Sequence, residues 1–175
     1  MAHALAALWG LAESTLLFVL PEVLLSLWAI TAPRRALWLA GAVVAGATVG
    51  AMGMFLWGDA DPVPVRVLLT WQPGIDEATV DRASLLLRQQ GLWGVVLGPW
   101  LGIPHKLLAV EAGYGIHGLG PYLLAFVPAR ALPALLAVGL GAALGWLRGR
   151  LALRAQALRV LLGIGWAVLH LALFL

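Results

Sequence analysis

The chain has 175 residues, 62% of them apolar and 11% charged, with a mean hydropathy of +0.96. A soluble domain carries about 45–50% apolar and about 25% charged residues, so this composition excludes a water-soluble monomer and predicts an all-α integral membrane protein. The absence of cysteine excludes disulfides, thiolate metal sites and a cysteine nucleophile; the net charge of +3 comes without the basic, aromatic-interleaved cluster of a nucleic-acid surface.

In chain order, the first 15 residues carry no Lys or Arg and are interrupted by Glu13, which argues against a cleavable signal peptide. Residues 1–33 contain an apolar run, 4–31, broken by Glu13, Pro21 and Glu22 and ended by Pro33-Arg34-Arg35. Broken backbone at membrane depth is tolerated only where protein or a wet cavity covers it, so this segment predicts a re-entrant hairpin. Residues 36–58 carry no charge and place small residues at Gly41, Ala45, Gly46 and Gly50, which predicts a spanning helix that a neighbour approaches closely. The polar connector 59–90 follows. Within it, 73–91 begins with Pro-Gly, has Asp76 and Glu77 in the first turn and Arg88 in the last, and stops at Gly91. Ile75, Thr79, Ala83, Leu86 and Leu87 share one side, which predicts an interfacial amphipathic helix; a solvated connector packed on the membrane part fits the same pattern. Residues 91–113 are broken by Gly98-Pro99, Gly102 and Pro104, with His105 and Lys106 next, and predict a second re-entrant hairpin. Residues 119–147 span, with kinks expected at Pro128 and Pro133 and Arg130 between them. Residues 151–175 form the last span.

Charge sets the orientation. Arg34, Arg35, Arg148, Arg150, Arg154 and Arg159 lie in two connections without a single acid, and the positive-inside rule makes both cytoplasmic. The connector 59–90 holds Asp59, Asp61, Asp76, Glu77 and Asp81 against three arginines and belongs on the far face. Asp59 and Asp61 are expected to be solvated. Glu13, Glu22, Lys106, Glu111 and Arg130 remain inside apolar segments, where ionisable groups mark functional sites by default.

Pro21-Glu22-Val23-Leu24-Leu25-Ser26-Leu27 is echoed by Pro104-His105-Lys106-Leu107-Leu108-Ala109-Val110. Each copy sits in a broken segment followed by a spanning helix, and the charge map sends the two into the membrane from opposite faces. That pattern is expected of an inverted repeat whose interrupted segments meet near the midplane. Pro21, Gly102 and Pro104 would be the hinges.

These residues resemble the DedA family of membrane proteins, also called SNARE-associated or VTT-domain proteins, in a divergent or minimal form near the YqaA-like branch. Glu13 with Leu20-Pro21-Glu22-Val23-Leu24-Leu25 stands at the family's first motif. Gly46, Gly50, Phe55 and Gly58 match its glycine helix, with Ala51 and Asp59 where the family has an acid and a base. Gly91, Leu101-Gly102-Ile103-Pro104-His105-Lys106 and Ala112-Gly113 stand at the third motif, without its first arginine. The resemblance implies a bacterial inner-membrane protein that moves lipid head groups such as undecaprenyl phosphate or phospholipids, with proton coupling as one proposed drive.

On physical grounds, hairpin tips that met would place Glu13 and Glu22 near His105 and Lys106, where each carboxylate needs a cation or a proton. A lipid phosphate would pair with Lys106, His105 and Arg130, and protonation of Glu13 or Glu22 would free those cations. Glu22 and Lys106 are the expected partners, and Trp100 at the second tip is the expected contact for a lipid chain. Plainer roles compete: the acids pairing with Arg34 or Arg35, Arg130 satisfying carbonyls freed by the prolines, Glu111 partnering Lys106. His3, His117 and His170 are expected to be interfacial or terminal, and most of the nine tryptophans interfacial anchors. No Gly-x-Ser-x-Gly, His-Glu-x-x-His or Gly-x-x-x-x-Gly-Lys motif is present, so no catalytic set, metal or cofactor is expected. The expected partner is a membrane lipid, with self-association left open. A structural subunit of a membrane complex is the main rival reading, and an intramembrane lipid-modifying enzyme a weaker one.

Overall fold

Proline, glycine and aspartate decide where the helices start and stop. The computed structural model describes residues 1–15, 20–115, 118–151 and 154–174 and is all-helical, with no strand among them. The helices are α1 (Ala2–Glu13), α2 (Glu22–Ala29), α3 (Pro33–Ala60), α4 (Pro62–Thr70), α5 (Glu77–Gln90), α6 (Trp93–Leu97), α7 (His105–Tyr114), α8 (Leu119–Leu151) and α9 (Ala155–Phe174), with a 3₁₀ turn at Gly98–Leu101. Pro33 and Pro62 open α3 and α4, where a missing N–H costs nothing. Gly91 (φ 55°) ends α5, and Gly102 (φ 78°) ends the 3₁₀ turn; only glycine takes that backbone cheaply.

Several boundaries depart from expectation. The helix expected over 36–58 runs from Pro33 to Ala60, and that over 119–147 continues to Leu151, helical through both Pro128 and Pro133. The last helix begins at Ala155 rather than 151. The connector holds a helix that the polar reading of 59–72 missed, α4, capped by Asp61 accepting from the Val63 amide at 3.1 Å. The amphipathic helix expected over 73–91 is α5, which begins at Glu77 and buries Thr79, Ala83 and Leu87 on one side, with Leu86 half-buried and Ile75 buried just before it. Residues 16–19 of the first broken segment and His117 lie outside the described residues, as does the side chain of His170.

Two helices, Pro33–Ala60 and Leu119–Arg150, are long and apolar enough to cross a membrane, and α9 is apolar over Ala155–Leu169. At about 1.5 Å per residue, α1, α2, α6 and α7 are each shorter than the roughly 30 Å of a hydrocarbon core.

α3 is the axis of the bundle: α1, α2, α7 and α8 all pack on it. The arms of each broken segment part company. α1 lies on α3 while α2 packs mainly on α8; α6 lies on α8 while α7 packs mainly on α3. Glycine sets the closeness of three of these crossings. A Cβ on Gly46 would come within 1.8 Å of the Ala7 carbonyl oxygen of α1, one on Gly58 within 2.2 Å of Val110 O of α7, and one on Gly141 within 2.1 Å of Ser26 O of α2. The expected small face is therefore only partly used, because Gly41 has open space around it and Ala45 is exposed.

Two apolar cores result. One gathers Met54, Phe55, Leu69, Leu107, Tyr122 and Phe126; the other gathers Leu25, Ala29, Leu39, Ala40, Ala134 and Val138. On α8 the first ends at Phe126 and the second begins at Ala134. Arg130 lies between them.

Substituting Gly46 or Gly58 by Val forces backbones apart and should lower the detergent-solubilised melting temperature sharply, an overpacking cost of about 1–3 kcal/mol or more. Gly41→Val and Gly53→Val, which meet open space, should melt as the parent does. A second prediction concerns Asp76, whose carboxylate accepts from the Thr79 hydroxyl at 2.5 Å and amide at 2.8 Å. Those bonds, the hydroxyl's first, hold its carboxyl below the ordinary carboxylate value. Its contribution is present above the unfolded pKa and lost as pH falls through the lower folded value. Hydrogen-exchange protection of the first turn of α5 should hold at neutral pH and drop in strong acid, and Asp76→Asn should flatten that dependence.

Candidate functional site

Arg130 projects from α8 at the seam of the two cores, and two acids from the first broken segment converge on it. Nη1 of Arg130 donates to Glu22 Oε1 in a short hydrogen bond, and Nη2 lies 3.3 Å from Glu13 Oε2. Arg130 is 2% exposed and Glu22 4%. The sequence brings them there locally. Glu13 closes α1, and Pro21 starts α2 so that Glu22 is its first residue, where the helix dipole favours a negative charge. A carboxylate and a guanidinium this enclosed need each other, because either one alone retains its desolvation cost.

The second broken segment delivers the remaining groups. Pro104 precedes α7 as Pro21 precedes α2, so His105 opens α7 in the position that Glu22 holds in α2. Its ring meets Phe126 edge-on, with centroids 5.3 Å apart, and Phe126 lies one turn before Arg130 on α8. Lys106, 3% exposed, donates to Gln72 Oε1 at 2.7 Å and attracts the Glu13 carboxylate electrostatically. Two carboxylates thus face two cations with a histidine beside them, a charge-balanced set enclosed by apolar helices.

The set is incompletely bonded. Glu22 Oε2, Nε and Nη2 of Arg130, both ring nitrogens of His105 and the Tyr122 hydroxyl are buried without a hydrogen-bond partner. Buried polar atoms in native proteins are nearly all satisfied, so a group of them in one neighbourhood marks a place that takes a ligand or water.

Some expected roles change. Glu22 pairs with Arg130 rather than with Lys106, because Arg130 enters the seam beside α2. Arg130 serves the acids rather than carbonyls at the prolines. Arg34 and Arg35 are exposed at the start of α3 and do not supply the acids' partner. Glu111, expected beside Lys106, instead binds Arg66 of α4 through two hydrogen bonds of 2.6 Å and accepts a short one from Ser84 of α5. The fork geometry makes this a strong pair, and Arg66 also stacks over Tyr114 at 4.7 Å. Glu111 accordingly latches the connector onto α7. Its bonds, ahead of its charge, hold the Arg66 guanidinium above its usual value. Trp100 is 60% exposed in the 3₁₀ turn of the second broken segment.

Gln72, Ser84, Arg66 and Tyr122 were not singled out from the sequence. Asp61-Pro62 followed by Val65 and Leu69 is the signal that would have found α4 and so Arg66; Gln72 and Ser84 carry no pattern of their own. Among the described residues no group of His, Asp and Glu is arranged to hold a metal ion.

Arg130→Gln strands two carboxylates and should destabilise the protein by about 3–5 kcal/mol. Adding Glu13→Gln and Glu22→Gln should return much of that loss in thermal melts, and a triple variant as unstable as the single one would show that the cluster is not one electrostatic unit. Comparison of the chain with protein-family models, curated proteins and solved structures gives no match, so the chemistry rests on these residues.

Proposed function

We propose that the protein is an integral membrane transporter, a flippase or scramblase, for a lipid with an anionic head group. The observation that carries this reading is the Glu13–Arg130–Glu22 set, with Arg130 and Glu22 buried and Glu13 half-buried, and with Lys106 and His105 beside it. Charges are costly in an apolar bundle and persist there when they serve a pathway. A lipid phosphate entering the seam would take the guanidinium of Arg130 from its two carboxylates and pair with the ammonium of Lys106. The displaced carboxylates would then need protons, which couples head-group occupancy to protonation of Glu13 and Glu22.

Several features support the architecture that this mechanism needs. α1, α2, α6 and α7 are too short to cross alone, and the two copies of the repeated motif open α2 and α7 in matching positions. The exchange of partners, α2 onto α8 and α7 onto α3, is what an inverted repeat of two re-entrant hairpins would produce. An apolar groove of about 770 Å³ between α6 and α8 is lined by Trp93, Val96, Leu124, Pro128 and Leu132 among others, on the face of α8 turned away from the buried Arg130. It offers a course for the lipid tail, a role expected of Trp100 from sequence. The resemblance to the DedA family supports the same reading and a bacterial inner-membrane location, and the positive-inside rule favours a cytoplasmic side for Arg34, Arg35, Arg148 and Arg150.

In reconstituted vesicles, Glu22→Gln and Arg130→Gln should each slow head-group translocation by about tenfold or more, equivalent to about 1.4 kcal/mol or more. Glu111→Gln, which only loosens the connector, should retain most of the rate. Comparing undecaprenyl phosphate with phospholipids, with and without a proton gradient, identifies the substrate and the drive. Unchanged rates in both site variants would remove the proposal.

A further inference from the structure

A second concentration of charge lies at the opposite end of the bundle from the connector. Arg34 and Arg35 occupy the first turn of α3, a helix of 28 residues whose preceding residue, Ala32, supplies no side-chain cap. Cations are opposed there by the helix dipole. The first intrahelical bond runs from the Ala36 amide to Ala32 O, which leaves the amides of Arg34 and Arg35 as donors without a helical acceptor. Two other helices add cations to the same place. Arg159 of α9 donates to Thr31 Oγ1 at 2.7 Å. On α8, Gly145 lies against the backbone of Ile30, its added Cβ only 2.3 Å from the Ile30 oxygen. Arg148 follows one turn later with its Nε enclosed and unpartnered.

Among the described residues no acidic side chain pairs with these arginines. Neither 23–58 nor 112–175 contains an acid, and Glu22 is committed to Arg130. Four arginines, a threonine hydroxyl and the N-terminal amides of α3 therefore lie at one end of the bundle. Beside them Leu37, Trp38 and Trp28 are exposed, and Arg35 sits 5.6 Å from the centroid of the Trp28 ring, so the charge borders an apolar, aromatic surface.

We propose that this end of the bundle is a binding site for the phosphate group of an anionic lipid, held by Arg34, Arg35, Arg148 and Arg159 with Thr31. Bidentate guanidinium contacts and helix N-terminal amides are suited to phosphate oxygens, and the flanking tryptophans to the lipid's glycerol and upper chain. Eighteen residues along α8 separate Arg148 from Arg130, roughly 27 Å, so the site is distinct from the Arg130 cluster and does not depend on the transport reading.

The test uses the whole protein in phosphatidylcholine nanodiscs with added phosphatidylglycerol, reading retained lipid by native mass spectrometry, and titrates the detergent-solubilised protein with inorganic phosphate. Phosphatidylglycerol should be retained by the parent. Retention should weaken by about tenfold or more in Arg34→Gln/Arg35→Gln/Arg159→Gln and stay unchanged in Arg82→Gln/Arg88→Gln, on α5 at the other end. Arg159→Gln alone, which leaves the α3 terminus intact, should give a smaller loss in the same direction if the triple variant folds poorly. Arginine-dependent binding of inorganic phosphate would support the phosphate site and assign it to the free anion as well. Equal retention by all variants, or no binding of either probe by the parent, overturns the proposal.

Discussion

A guanidinium buried at the meeting of two apolar cores needs negative charge beside it, and that need organises this molecule. Arg130 has Phe126 one turn to one side and Ala134 one turn to the other, each belonging to a different core. The carboxylates that answer it come from the end of α1 and the start of α2. The first broken segment is thereby fixed to α8 by charge, although α1 itself packs on α3. The desolvation cost of these groups is large in an apolar bundle, and the protein retains it together with several unbonded polar atoms. A purely structural ion pair would be better served by complete hydrogen bonding.

Close backbone packing permits the arrangement. Short helices bury little side-chain area, so they hold position by approaching α3 and α8 at glycine, where carbonyls and Cα atoms come into contact. The connector contributes in a different way. Arg66 and Ser84 grip Glu111, and Gln72 accepts from Lys106, so α4, α5 and the turn between them brace α7 by polar contacts. One face of α7 thus answers to the connector while its first residues answer to the charge cluster.

Much of this was legible in the sequence, and the gaps have physical causes. Prolines and glycines mark helix ends through local sterics, so Pro33, Pro104, Gly91 and Gly102 could be read directly. The burial of Arg130, Glu22 and Lys106, and the half-burial of Glu13, follow from the rarity of charge in apolar runs. Which acid meets which cation was not legible, because pairing depends on how α2 turns toward α8, and no residue spacing encodes that across 108 positions. Glu111 illustrates the same limit. Five residues from Lys106 it looks like a helix neighbour, yet that spacing places the two on different faces of α7, and its partner arrives from α4. α4 was hidden because its exposed side carries Val63, Val67 and Trp71, leaving no polar-apolar contrast to read.

In the proposed cycle a phosphate and the two carboxylates compete for Arg130. Infrared difference spectroscopy of the protein in neutral lipid, with and without an added anionic lipid, reads that competition through the carboxylates themselves. A protonated-carboxyl stretch should grow with anionic lipid and be lost in Glu13→Gln/Glu22→Gln. A spectrum in which both carboxylates stay ionised while the anionic lipid is shown to occupy the Arg130 seam would contradict it.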